Sequence, residues 1–192
     1  MEKNRKVDRL RAVALSGSLR KGSYNRKALK IAKVFAENAG AEVTEIDLKE
    51  LALPAYDEDL VASGVPEPVQ KLKAAIESAD VLLIATPEYN YSIPGGLKNA
   101  IDWASKRPNS FDGKVAAIFG ASTGPFGTIR MQPHLRQVLA AVNVLIVPQP
   151  QVHIRSAADA FNPDGSLKDP KINEQLRSLV EKSMRLARLL QD

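Results

Sequence analysis

The chain has 192 residues, of which 44% are hydrophobic and 26% charged, a formal net charge of +5 and no cysteine. Those values suit one globular domain and exclude disulfides, thiolate metal sites, iron–sulfur clusters and a cysteine nucleophile. No window holds the roughly 18 consecutive apolar residues of a membrane span, and the charged start, residues 1–11, lacks an apolar signal-peptide core, so a cytoplasmic location is expected.

In chain order, residues 11–16 form an apolar, β-compatible run, followed by Ser16-Gly17-Ser18-Leu19-Arg20-Lys21-Gly22-Ser23-Tyr24-Asn25. Residues 25–39 then show helical spacing, with Ala28, Leu29, Ile31, Ala32, Phe35 and Ala36 on one face. A short strand is expected at 42–46, and residues 48–68, with prolines at 54, 66 and 68, read as a connecting loop. Helices at 67–78, 95–105 and 128–141 alternate with strands at 79–86, 114–120 and 142–147, and an amphipathic helix at 169–190 ends the chain. Continuous apolar runs such as Val81-Leu82-Leu83-Ile84-Ala85 fit strands covered on both faces. The expected architecture is therefore α/β: a doubly wound, flavodoxin-like five-stranded parallel sheet, order 2-1-3-4-5, with helices on both faces in a single domain spanning 1–192.

In such a sheet the ligand crevice lies beyond the carboxyl ends of the strands, where three loops meet. The first, 16–25, opens a helix whose N-terminal N–H groups and dipole favour an anion. Ser16, Ser18 and Ser23 offer hydroxyls, Arg20 a charge-assisted contact, and Asn25 can brace the turn or cap the helix. It matches neither Gly-x-Gly-x-x-Gly nor Gly-x-x-x-x-Gly-Lys-Ser/Thr, and the same residues also suit a plain capped turn. The second loop, Pro87-Glu88-Tyr89-Asn90-Tyr91-Ser92-Ile93-Pro94-Gly95-Gly96, offers flat walls and polar edges for a planar heterocycle, or a proline-started helix with surface tyrosines. The third, residues 120–128, combines Ser122 and Thr123 with Gly124 and permits close approach of backbone N–H groups, as would an ordinary strand-to-helix turn. One phosphate-suited loop and two ring-suited loops on one rim together describe an FMN pocket.

These motifs resemble the NAD(P)H-dependent FMN reductase family, close to bacterial chromate and quinone reductases. Gly17-Ser18-Leu19-Arg20 with Ser23 and Asn25 matches its phosphate loop; Pro87-Glu88-Tyr89-Asn90 with Ser92, Pro94, Leu97-Lys98-Asn99 and Asp102-Trp103 matches its second motif. The likeness runs from about residue 10 to residue 150, and the stretch after Pro150 carries none of it. It implies that Ser16, Ser18, Arg20, Ser23, Tyr24 and Asn25 surround the FMN phosphate and ribityl chain. It also implies that Pro87, Glu88, Tyr89 and Asn90, joined by Ser122, Thr123 and Gly124, border the isoalloxazine. NAD(P)H is the expected cosubstrate, with hydride passing through flavin N5 in a ping-pong cycle and no catalytic side chain. Quinones are the expected acceptors, with chromate and azo dyes as promiscuous ones. A homodimer or homotetramer is implied, with residues 95–105 a candidate contact.

Three other readings share these features. An FMN reductase releasing reduced flavin would differ in retaining no colour, and a flavodoxin-type electron carrier is usually acidic where this chain is basic. A receiver domain needs acidic residues where Ser16-Gly17-Ser18 stand. The basic residues are spread without aromatic interleaving, which suits a solvated face and anionic substrates better than nucleic acid. His134 and His153 stand near no carboxylate cluster of metal-ligand spacing, so no metal is expected, and Trp103 reads as core or subunit contact.

Overall fold

The computed structural model describes residues 9–191. In chain order the elements are β1 (Arg11–Ser16), α1 (Tyr24–Asn38), β2 (Glu42–Ile46), α2 (Leu48–Leu51), α3 (Glu58–Ala62), α4 (Glu67–Ser78) and β3 (Val81–Ala85). They continue with α5 (Gly95–Ser105), β4 (Val115–Ala121), α6 (Met131–Ala141), β5 (Leu145–Ile146), β6 (Val152–Ile154), α7 (Ala157–Ala160) and α8 (Pro170–Leu189). The strands are parallel in the order β2-β1-β3-β4-β5, and β6 pairs with β4. The doubly wound order expected from the sequence is the one observed.

Side chains along the inner strands alternate between two cores, as the two-residue period of a pleated strand requires. Ala12, Ala14, Val81, Leu83, Val115, Ala117 and Phe119 face a core shared with α1 and α8. Val13, Leu15, Leu82, Ile84, Ala116 and Ile118 face the opposite core, shared with α4, α5 and α6. All five residues of β3 are buried, so its leucines and isoleucine each contribute about 1.5–3 kcal/mol of apolar burial. Ala28, Ala32 and Ala36 line the inward face of α1, opposite Ala12 and Ala14. Small side chains on both partners let the helix lie close to the sheet, which sets its N-terminus at the carboxyl end of β1.

Two expectations need correction. The fifth sheet position is not one strand over 142–147: β5 pairs with Val115 and Ala116, and β6 with Phe119, Gly120 and Ala121, further along the same edge of β4. Pro148 and Pro150 lie in the gap, and a residue without an N–H cannot extend the ladder. The stretch 48–68 is not only loop; it carries α2 and α3, capped by Asp47 and Asp57 through their bonds to the Lys49 and Asp59 N–H groups. The long final helix runs Pro170–Leu189, with Asp169 as its cap.

Candidate functional site

Three connections leave the carboxyl ends of β1, β3 and β4 and meet around Thr86, which is fully buried. A Cβ at Gly17 would lie 2.1 Å from the Thr86 hydroxyl oxygen, and one at Gly120 would lie 2.1 Å from the Thr86 carbonyl oxygen. Only glycine allows the three backbones to approach this closely.

In the first connection Ser23 is the N-cap of α1, its hydroxyl accepting from the Asn25 N–H at 3.2 Å and the Arg26 N–H at 3.4 Å. The Ser16 hydroxyl accepts from the Ser18 N–H at 3.2 Å. Among the described residues, the N–H groups of Leu19, Arg20, Lys21, Gly22 and Tyr24 have no acceptor, and the Ser18 hydroxyl has no partner. Arg20 donates to the Gly22 carbonyl at 3.0 Å and lies over the Tyr24 ring, so its cation stays at the loop. Five free backbone donors, a free hydroxyl and a guanidinium gather at one helix N-terminus, an arrangement that favours an anion.

Of the two parts expected of Asn25, brace or cap, the structure gives it the brace. Its side-chain amide donates to the Ala121 carbonyl at 2.9 Å and accepts from the Ala121 N–H at 2.8 Å. Both ends of the amide are engaged, and the side chain braces the first connection against the end of β4. Behind the loop, Arg26 forms a bidentate pair with Asp47 at 2.7 Å and donates to the Ser18 carbonyl at 3.4 Å. That hydrogen bond to Arg26 holds the Asp47 carboxyl below its usual range. This brace was not legible in the sequence, since nothing local links the two residues.

The second connection contains a two-residue hairpin. Tyr89 and Ser92 exchange N–H···O bonds of 3.0 and 2.9 Å, while Asn90 and Tyr91 sit at φ 50° and 64°. Two successive positive φ angles are the signature of a type I′ turn. Asparagine tolerates that conformation; a tyrosine there costs about 1–2 kcal/mol. The Glu88 carboxylate, only 8% exposed, accepts from the N–H groups of Arg130 at 2.9 Å and Met131 at 3.0 Å. It caps α6 from outside, and α6 accordingly starts at Met131 rather than at the expected residue 128. Ser92 bonds His134 Nδ1 at 3.1 Å, fastening the other end of the hairpin to the same helix.

In the third connection the Ser122 hydroxyl accepts from the Gly124 N–H at 3.3 Å, and the Ser122 backbone bonds Ile154 and Ala157. Below it Thr128, Gln132 and His153 form a polar layer, with Thr128 against His153 Nδ1 at 3.4 Å. Burial lowers the pKa of His153, helped by Arg155 and Arg136, so the ring is neutral at physiological pH. Trp103 is buried and its indole N–H donates to the Pro54 carbonyl at 2.9 Å.

The three connections enclose a cleft of about 240 Å³. Of the residues expected at a site, Ser18, Arg20, Ser23, Tyr24, Asn25, Pro87, Glu88, Tyr89, Ser122 and Thr123 line it, together with Ala121. Ser16, Asn90 and Gly124 do not; they shape the backbones from which the lining residues project. Among the described residues, no group of three His, Asp or Glu side chains could hold a metal ion, and no helix is long and apolar enough to cross a membrane.

Residues 10–159 match the family model for NADPH-dependent FMN reductase. An NAD(P)H-dependent FMN reductase of Pseudomonas aeruginosa is 46% identical over 175 residues, 91% of this chain and 93% of that protein. A quinone reductase of Escherichia coli is 42% identical over 147 residues, 75% of this chain and 77% of that protein. Among solved structures, FerB of Paracoccus denitrificans, a flavoenzyme NAD(P)H:(acceptor) oxidoreductase, superimposes with a TM-score of 0.82 at 38% identity, covering 93% of this chain and 97% of that one. A parallel sheet of this order, three convergent connections and a match over most of the length agree: the chain belongs to the NADPH-dependent FMN reductase family.

Proposed function

We propose that this chain is an FMN-dependent NAD(P)H oxidoreductase that reduces quinones, acting as one FMN-binding domain. The observation that carries the reading is the set of unpartnered N–H groups of Leu19, Arg20, Lys21, Gly22 and Tyr24 before α1, in a loop whose Ser18, Arg20, Ser23 and Tyr24 line the cleft with the second and third connections. Neutral donors with one guanidinium match a phosphomonoester and require no metal. The Pro87 and Tyr89 side chains and the main chain at Glu88, Ser122 and Thr123 suit a planar polar heterocycle extending from that phosphate.

On this reading Ser18, Arg20, Ser23 and Tyr24 hold the phosphate and ribityl end, with Ser16 and Asn25 fixing the loop. Pro87, Glu88, Tyr89 and Asn90 border the ring on one side, and Ser122, Thr123 and Gly124 on the other. When bound, FMN supplies the ring that takes hydride from NAD(P)H and yields the electron pair to the acceptor. The chain's contribution is position and electrostatics. Glu88 and Asn25 lock the connections so that backbone N–H groups are fixed before any charge develops, and preorganised donors cost no rearrangement during the reaction. No side chain in the cleft acts as nucleophile, acid or base. Chromate and azo dyes belong to the same proposal as secondary oxidants. So does assembly into a homodimer or homotetramer through α5, in the cytoplasm, where the reduced dinucleotides are kept.

Purified protein should be yellow and stay yellow through gel filtration, which separates a resident cofactor from FMN used as a substrate. Anaerobic NADH or NADPH should bleach it and a quinone should restore the colour. Protein that stays colourless after incubation with FMN would overturn the reading.

A further inference from the structure

Outside the cleft, on the ring side, the Arg130 guanidinium lies 4.3 Å from the centroid of the Tyr91 ring and 4.8 Å from that of Phe126. Both rings are unusually open for aromatic side chains, at 64% and 57% exposure, and the Arg130 side chain is 40% exposed. The three residues reach this point from two connections: Tyr91 from the hairpin after β3, and Phe126 and Arg130 from the loop between β4 and α6. Tyr91 does so with its backbone at φ 64°, a conformation that is unfavourable for a bulky residue. Strain retained at one position over-determined by its neighbours is a mark of a working surface.

Arg130 is also tied to the cleft. Its backbone N–H donates to Glu88, a cleft-lining residue, and one guanidinium nitrogen approaches the same carboxylate at 3.4 Å. A guanidinium carries five N–H donors in a rigid fork matched to phosphate oxygens, and that single long contact leaves most of them free. Its place over the rings holds the guanidinium without consuming donors.

We propose that Arg130, presented by Tyr91 and Phe126, is the docking point for a phosphate group on the adenosine half of the reduced dinucleotide. This rests on the oxidoreductase reading above, because only a donor stacked at the ring end of the cleft would trail its phosphates across this rim. The rings offer the adjoining adenine a face to stack against.

The test is calorimetric titration of NADP⁺ and of NAD⁺ into the FMN-loaded protein and its Arg130→Gln variant, with FMN content measured on both. The substitution leaves the backbone bond to Glu88 in place. Affinity for at least one dinucleotide should fall roughly tenfold or more, the size of one charge-assisted contact. A fall confined to NADP⁺ assigns the contact to the phosphate on the adenosine ribose; a fall for both assigns it to the pyrophosphate. Tyr91→Gly should weaken the same binding while holding or raising the unfolding midpoint, an outcome that a purely structural role for Tyr91 would not give. Unchanged affinities in a yellow Arg130→Gln protein would overturn this inference alone, and if its mass in light scattering also fell, the patch would be a contact between copies of the chain. A wild-type protein that takes up no FMN would remove the underlying reading as well.

Discussion

Asn25 and Ala121 are joined by a reciprocal pair of hydrogen bonds, 2.9 Å from the side-chain amide to the carbonyl and 2.8 Å from the N–H to the side-chain oxygen. The pair closes the start of α1 onto the end of β4 across 96 residues of chain, in a site where Asn25 is 3% exposed. Replacing Asn25 by alanine strands a buried donor and a buried acceptor, which costs about 1–3 kcal/mol for each group left unpaired. Urea unfolding of the FMN-free protein should show that loss. Asn25→Asp should cost less in bonds but place a carboxylate against a carbonyl, and FMN affinity should fall in both.

The close approach at Thr86 gives a second expectation. Gly120→Ala sets a methyl group 2.1 Å from a backbone oxygen, and Gly17→Ala sets one 2.1 Å from a hydroxyl oxygen. Backbone cannot rotate away, so Gly120→Ala should be the more damaging, at about 1–3 kcal/mol or more. Thermal unfolding of the two variants side by side checks the order.

Glu88 caps α6 with a nearly buried carboxylate. Glu88→Gln keeps an acceptor but gives up the charge facing the helix dipole, a loss of about 0.3–1 kcal/mol. Glu88→Ala loses the cap altogether, about 1–2 kcal/mol. Flavin retention during dialysis should follow the same ranking, because this carboxylate ties the second connection to the third.

His153 and Asp47 both contribute to the acid side of the stability profile. His153 has its pKa depressed by burial, so the unfolded chain binds its proton first as the pH falls below about 6.5. Its contribution is complete above that value and is lost as the pH drops through the folded-state pKa. Asp47, lowered by its bond to Arg26, contributes above the ordinary carboxylate range and loses that contribution at lower pH still. Stability measured against pH should flatten near pH 6 in His153→Gln and only in the more acidic limb in Asp47→Asn.

How much of this could be read in advance depends on how local each cause is. Val81–Ala85 could only be an inner strand, since five apolar residues in succession leave no face for water. The loop from Ser16 to Asn25 suggested an anion site through its composition and its place before a helix. The choice between brace and cap for Asn25 stayed open there: Ser23 takes the cap, and the brace that falls to Asn25 depends on Ala121, which carries no distinguishing side chain. Glu88 likewise reads as a pocket wall until the fold brings α6 to its carboxylate. The split edge at β5 and β6 escaped because three residues, Val152 to Ile154, are too few to show a period, although Pro148 and Pro150 already ruled out a continuous strand.

If the backbone donors between Leu19 and Tyr24 grip a phosphate, the protein must distinguish FMN from riboflavin. Fluorescence titration of the flavin-free protein should give one site per chain and FMN affinity at least a hundredfold above that of riboflavin, which has the same ring and no phosphate, as two charge-assisted contacts would require. Equal affinities, or no binding of either, would contradict the account.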